Sequence, residues 1–300
     1  MIDKDQGPLD IANLDEQLRA FFSDLPDRDL RELGICLAEG ITVTERLIDS
    51  PMKIAGLLCT PDHGEFYARI SQDTGKAFPV YTGSRRSIGE IGGYMFHRGC
   101  LTAAYRPELP SLEQFHGAQC TNVRSSKNAQ DFFWGINLAS VQETSNVGTL
   151  IRTARAFRAS AIVVGKGTGD PFSRKAIRSS VGHVFHAPLC TVESDRQLIE
   201  FARKHGLLLG VAHAGEGSLD LDSVMRELPA LRSSWAGIIL CLGHEYSGHS
   251  EQLLESADIH IRIPMGENID SLNVGAAGAI FCYAFASGLG FIGSDGAPAR

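Results

Sequence analysis

WGINLASVQETSNVGTLIRTARAF, residues 134–157, holds the transition that decides the fold of this 300-residue chain. The first eight residues form an almost wholly apolar run, and after a polar turn the pattern becomes helical over 146–159. The same alternation recurs on either side. Apolar runs SAIVVG (160–165), VFHAPLC (184–190), GLLLGVAH (206–213), AGIILCLG (236–243) and IHIRIP (259–264) read as strands, and DRQLIEFARKHG (195–206) reads as a helix. Continuous apolar strands alternating with helices point to a parallel sheet covered on both faces. In such sheets ligands bind beyond the carboxyl ends of the strands. The polar residues that follow strands therefore carry the functional weight.

Upstream the pattern is different. LRELGICLAEGITVTERLIDS (30–50) reads as helical with a change of register near Gly40, and KIAGLLCT, AFPVYTGS and GCLTAAYRP are short apolar runs suited to strands. These features describe a small α/β domain over residues 1–110. RPELPSLEQFHGAQCTNVRSSKNAQD, between about 107 and 130, is polar, holds two prolines and lacks a sustained period, so 111–130 reads as a linker. Residues 131–300 form the larger α/β domain.

Composition is that of a globular protein, 43% hydrophobic and 21% charged. No stretch of 18 uninterrupted apolar residues is present, so no membrane span is expected. The opening MIDKDQGPLDIANLDEQ is acidic and has no apolar core segment, so no secretory signal is expected. The 7 cysteines are scattered and form no C-x-x-C pair, which argues against a disulfide framework or a structural zinc site and for reduced thiols in the cytoplasm. The net charge of −7 hides an uneven distribution: residues 1–84 carry −7, 85–178 carry +7 and 179–300 carry −7. A basic middle region on an acidic protein can still bind a polyanion, because screening limits each charge to about 10 Å.

Three strand ends stand out. After the first run comes ETSNVGTLIRTARAF, where Asn146 is placed to cap the helix, Gly148 permits close approach, and Arg152 and Arg155 follow along the helix. LGHEYSGHS follows the fifth run, with Gly243, Glu245 and Gly248. IPMGENIDSLN follows the sixth and opens NIDSLNVGAAGAIFCYAFA (268–286), where Asp270, Ser271 and Asn273 precede a run of Ala, Gly and hydrophobes. An N-cap accounts for one of those polar residues. Glycine costs about 1 kcal/mol per helix position, so Gly275 and Gly278 signal close backbone approach. VVGKGTGDP (163–171) echoes a dinucleotide-binding loop, but its spacing is not GxGxxG and Asp170-Pro171 follows directly, so it reads as a plain loop.

Together the three segments resemble the signature motifs of the SpoU/TrmH branch of the SPOUT RNA methyltransferases. Asn146, Gly148, Arg152, Thr153 and Ala154 match the first motif; Gly243, Glu245 and Gly248 the second; Ile263–Met265 and Ser271–Val274 the third. RSSVGHVFHAPL (178–189) resembles a further family segment through Ser180 and Gly182. The departures are Thr144, Arg158 in place of a usual glycine, His244 and Glu267. LAEG (37–40) and HRGCLTAAYRP (97–107) more weakly resemble the RNA-binding domain that precedes many such catalytic domains.

The resemblance implies an α/β fold whose C-terminal SPOUT domain is a parallel sheet tied in a trefoil knot, preceded by a small α/β RNA-binding domain. It implies a homodimer that transfers a methyl group from S-adenosylmethionine to a ribose 2′-hydroxyl of tRNA or rRNA, without a metal. Leu242, Gly243, Ile263, Met265 and Leu272 would hold the cofactor. Arg152 would activate the hydroxyl, with Asn146, Glu245, Ser271 and Asn273 positioning it or the substrate. Arginine stays protonated, so stabilisation of the developing alkoxide and of a nearby phosphate suits Arg152 better than general-base duty. The competing readings are a non-catalytic RNA-binding protein that keeps the fold, base methylation by a knotted relative, and a nicotinamide oxidoreductase.

Overall fold

The structure is a computed structural model and describes residues 7–120, 132–243, 248–267, 269 and 271–292. Its contacts divide it into two compact units, one running to Glu108 and including Pro171–His186, the other comprising Leu109–Asp170 and the chain from Ala187 onward.

The first unit contains β1 (Leu9–Asp10), α1 (Glu16–Phe22), α2 (Asp27–Glu32), β2 (Ile35–Glu39), α3 (Ile41–Asp49), β3 (Ile54–Cys59), α4 (Pro61–Asp73), β4 (Val80–Thr82), α5 (Arg85–Gly92) and β5 (Cys100–Tyr105). The strands form a mixed sheet in the order β1-β4-β3-β5-β2, antiparallel where β5 meets β3 and β2. The helical reading of 30–50 fails in its middle. Gly34 and Gly40 adopt φ of 70° and 101°, conformations that glycine reaches without a Cβ clash, and they bracket a buried strand. Ile35–Glu39 pairs with β5, so sheet pairing decides a segment whose local pattern looked helical.

In the second unit α6 (Leu112–Cys120) occupies part of the expected linker; residues 121–130 lie outside the described residues. There follow β6 (Phe133–Ala139), α7 (Thr144–Ala156) and β7 (Ala161–Val164). The chain then contributes Pro171–His186, with α8 (Arg174–Ser179), to the first unit, where Arg174 pairs with Asp27 at 3.1 Å and Arg178 with Glu39 at 3.1 Å. It resumes with β8 (Leu189–Thr191), α9 (Asp195–Lys204), β9 (Leu207–Ala212), β10 (Leu219–Asp220), α10 (Leu221–Ser234), β11 (Gly237–Gly243), α11 (Glu251–Ser256), β12 (Ile259–Arg262) and α12 (Val274–Gly288). Only the end of 184–190 is a strand, because residues 183–186 form a 3-10 turn ahead of Pro188. In 163–171 the first two residues end β7 and the rest is a loop, as its spacing suggested, with Gly167 at φ 81°.

All seven strands of this unit are parallel, in the order β10-β12-β9-β11-β6-β7-β8. Both faces are covered, which is why the strands read as continuous apolar runs. On one face Phe133, Ala139, Ile239 and Cys241 join the cluster with Leu198, Phe201 and Leu253 from α9 and α11. On the other, Trp134 stacks on Phe285 at 5.1 Å and 20°. A stacked pair of this kind contributes about 1 kcal/mol beyond its area burial. A Cβ on Gly278 would stand 2.2 Å from Leu150 Cδ2, and one on Gly275 3.1 Å from Thr149 Cγ2. The small residues of α12 are thus what let it lie close against α7.

Candidate active site

A cleft of about 200 Å³ opens beyond the carboxyl ends of β9, β11 and β12, which are neighbours in the sheet. Ala212–Ala214, Leu242–Gly243 and Ile261–Ile263 supply its walls from the strand ends, and Val274, Ala277 and Phe281 close it from the first turns of α12. Leu242, Gly243, Ile263, Met265 and Leu272, the residues expected at the cofactor, all line it, as does Ser271. Leu272 is 39% exposed, an apolar side chain left at the rim.

Asn273 is the N-cap of α12. Its Oδ1 accepts from the backbone N–H groups of Gly275 at 2.9 Å and Ala276 at 3.3 Å, while its Nδ2 donates to Asn146 Oδ1 at 3.1 Å. The cap answers the orphan donors of the first helical turn, and the second bond ties the mouth of α12 to that of α7. Asn146 is not the N-cap of its own helix. Glu143 is the N-cap of α7, and Asn146 is the third residue of that helix, where its Oδ1 accepts from Asn273.

Arg152 is set apart. It lies six residues after Asn146 on α7, which turns it about 120° away around the helix axis. It is exposed, and no hydrogen bond or ion pair among the described residues involves it. Within one chain, Asn146 and Asn273 meet, Ser271 joins the residues expected at the cofactor, and Arg152 is not part of the cleft lining. Glu245 lies outside the described residues. Ser180 is fully buried in the first unit and donates to Ile177 O at 3.0 Å, which leaves its hydroxyl no open face for a substrate.

The cleft also contains side chains that the motifs did not single out. His249 and His213 line it, and Arg262, which does too, is engaged with Asp220 at 2.6 Å. The His249 ring presses on Gly243: a Cβ there would lie 2.8 Å from its Cε1 and Nε2. His249 Nε2 meets Ala212 O at 3.0 Å, and Nδ1 is buried with no hydrogen-bond partner among the described residues. Burial lowers the ring's pKa to about 4, against a smaller opposite pull from the Ala212 carbonyl. The only sequence signal for this residue was its place in the second motif segment. Cys241 and Cys282, buried near the same strand and helix, have thiols pushed up to about 12 by burial and are not nucleophiles near neutral pH. Among the described residues no group of three or more His, Cys, Asp or Glu side chains is placed to hold a metal ion.

A parallel sheet covered by helices on both faces, with a largely apolar cleft at adjacent strand ends, defines an α/β domain of the doubly wound class. Residues 135–283 match the SpoU rRNA Methylase family, and the chain belongs to that family of RNA methyltransferases. An uncharacterised tRNA/rRNA methyltransferase of Mycobacterium tuberculosis is 27% identical over 281 residues, covering 91% of this chain and 90% of that one. A 23S rRNA (guanosine(2553)-2'-O)-methyltransferase of Bacillus subtilis is 33% identical over 144 residues, covering 48% of this chain and 54% of its own. The crystal structure of an AdoMet-bound rRNA methyltransferase from Sinorhizobium meliloti shares the fold with a TM-score of 0.73 at 22% identity, over 94% of this chain and 97% of that one.

Proposed function

We propose that this protein transfers a methyl group from S-adenosylmethionine to a ribose 2′-hydroxyl in tRNA or rRNA. The observation that carries the reading is convergence: Leu242, Gly243, Ile263, Met265, Leu272 and Ser271, separated along the chain, line one cleft in a SpoU-family domain. The residues suit an adenosyl group. The walls are apolar side chains and strand-end backbone, the absence of a Cβ at Gly243 lets the His249 ring pack against the strand end, and His249 Nδ1 is a buried acceptor without a partner among the described residues. The bound cofactor supplies a methyl group already activated on a sulfonium, so the chain needs to align the acceptor and ease the loss of its proton.

In this reading Arg152, always cationic and exposed, grips a phosphate beside the target ribose and stabilises the developing alkoxide. Asn146, Ser271, Asn273 and Glu245 position the ribose. Because Arg152 stands apart from the cleft within one chain, the site is completed in a homodimer. The exposed Ala276, Ile280 and Tyr283 form a stripe on α12 for that contact, with Ile280 40% and Tyr283 58% exposed. The chain after β12 passes through the preceding loop as a trefoil knot. The first unit binds the RNA: Arg98, Arg174, Lys175 and Arg178 line a cavity of about 550 Å³ there, with Tyr94 and Met95 beside them and only Asp27 and Glu39 opposing. Among the described residues no helix is long and apolar enough to cross a membrane, and we place the protein in the cytoplasm with its RNA.

The test is incubation with methyl-labelled S-adenosylmethionine and separated tRNA and rRNA, alongside Arg152→Ala. Label in one RNA that protects the adjacent linkage from alkali, and is lost in the variant, is the expected result. Binding of RNA without any binding of S-adenosylmethionine would favour a non-catalytic RNA-binding protein.

A further inference from the structure

We infer that His249 is a specificity-determining residue of the cleft, where its Nδ1 accepts a hydrogen bond from an N–H or O–H donor of the bound adenosyl ligand. The inference rests on the reading of the cleft as the cofactor site and adds a residue to it. The tautomer follows from one contact. Ala212 O can only accept, so Nε2 at 3.0 Å carries the hydrogen, and in the neutral ring Nδ1 is left with a lone pair. The ring is kept neutral near pH 7 by its burial, with His213 adding to that effect and Asp195 opposing it. Nothing on the described part of the chain uses the lone pair.

A buried acceptor without a donor is unfavourable, and such groups are scarce in folded proteins. This one sits in a cleft wall, on a ring braced from two sides. Ala212 at the end of β9 holds one edge, and Gly243 at the end of β11 lies against the ring, where a Cβ would stand 2.8 Å from Cε1 and Nε2. Of the other polar side chains of the cleft, Arg262 is paired with Asp220, Ser271 is assigned to the substrate, and the His213 ring packs edge-on against His260 with centroids 5.6 Å apart. An acceptor-only group in an apolar wall selects a ligand that presents a donor and rejects one that presents a carbonyl at the same place, since two acceptors would then face each other unpaired. In an adenosyl group the donors are the 6-amino group of the base and the hydroxyls of the ribose. The same acceptor chemistry serves either.

The experiment measures, by calorimetry, the affinity of S-adenosylhomocysteine for the full chain and for His249→Leu and His249→Asn. It repeats the titrations with S-inosylhomocysteine and with 2′- and 3′-deoxy analogues. His249→Leu is expected to weaken S-adenosylhomocysteine by about three- to tenfold. His249→Asn, which places an amide oxygen near the position of Nδ1, is expected to recover most of that loss. One analogue should bind the wild type more weakly than S-adenosylhomocysteine does and lose nothing further in His249→Leu. The inosyl ligand in that role assigns the base amine, and a deoxy ligand assigns that hydroxyl. Equal affinities in wild type and His249→Leu, or an identical loss for every ligand, would overturn the proposal and leave His249 a packing residue. A wild-type chain that binds none of these ligands would overturn the cofactor reading itself.

Discussion

The cleft at the strand ends and the exposed face of α7 carry the two halves of the same proposed chemistry, and they are built in opposite ways. In the cleft, position is over-determined. Gly243 lies against the His249 ring, its partner Ala139 on β6 fixes its register, and α12 is drawn in by Gly275 and Gly278. Arg152 has none of this support: it is exposed on α7 and unpaired among the described residues. A binding site for a small ligand gains from rigid walls. A cation that meets a flexible polyanion, or that completes a site in a second subunit, is held by its target instead.

The largest expected effect separates these halves directly. Gly243→Val places methyl groups where a Cβ already meets the imidazole at 2.8 Å, so S-adenosylhomocysteine affinity should fall at least about a hundredfold (about 3 kcal/mol). Calorimetry on the folded variant checks it, and unchanged affinity would remove the cleft from the cofactor reading. Arg152→Ala should do the reverse, lowering the methylation rate by about 10²- to 10³-fold while changing cofactor affinity less than twofold. Its melting temperature should hardly move, since exposed side chains contribute within about 0.5 kcal/mol. Methylation near the wild-type rate in Arg152→Lys would count against a bidentate grip.

The cleft histidine ties stability to pH. With a folded pKa of about 4 against an ordinary value of 6.5, the unfolded chain takes up the proton first as pH falls. The neutral ring's contribution is therefore complete above about pH 6.5 and is lost progressively down to about pH 4, a loss on the order of 2–3 kcal/mol. Denaturation curves between pH 7 and 4.5 should show that loss in the wild type and a smaller one in His249→Leu. Asn273→Ala removes both the α12 cap and the bond to Asn146, which should cost about 1–2 kcal/mol by urea denaturation. The smallest effect is a gain. Arg158 holds φ 56°, a left-handed conformation that disfavours any side chain, so Arg158→Gly should raise stability by up to about 1 kcal/mol. A loss there would show that the contacts of the Arg158 side chain outweigh its backbone strain.

The parallel sheet was legible because its strands are buried on both faces and so are written as unbroken apolar runs, and the cleft residues were legible because the motifs fall where such strands end. Arg158 was legible as a departure, and its positive φ gives the physical reason a glycine suits that position. The strand at Ile35–Glu39 was not legible, since its sheet partner β5 lies more than sixty residues away and local pattern cannot see it. Nor was the attachment of Pro171–His186 to the first unit, which depends on ion pairs from Arg174 and Arg178 to Asp27 and Glu39.

By itself, then, the sequence determined the alternation of strand and helix, the family signature and which strand-end residues line the cleft, because each is written in short-range periodicity or in spacing. Only the tertiary structure decided that Asn146 meets Asn273 while Glu143 caps its helix, that Arg152 is not part of the cleft lining, and that His249 keeps a buried acceptor unpaired among the described residues. Those outcomes depend on which atoms end up adjacent across long stretches of chain, and that is set by packing of the whole sheet rather than by any local run of residues.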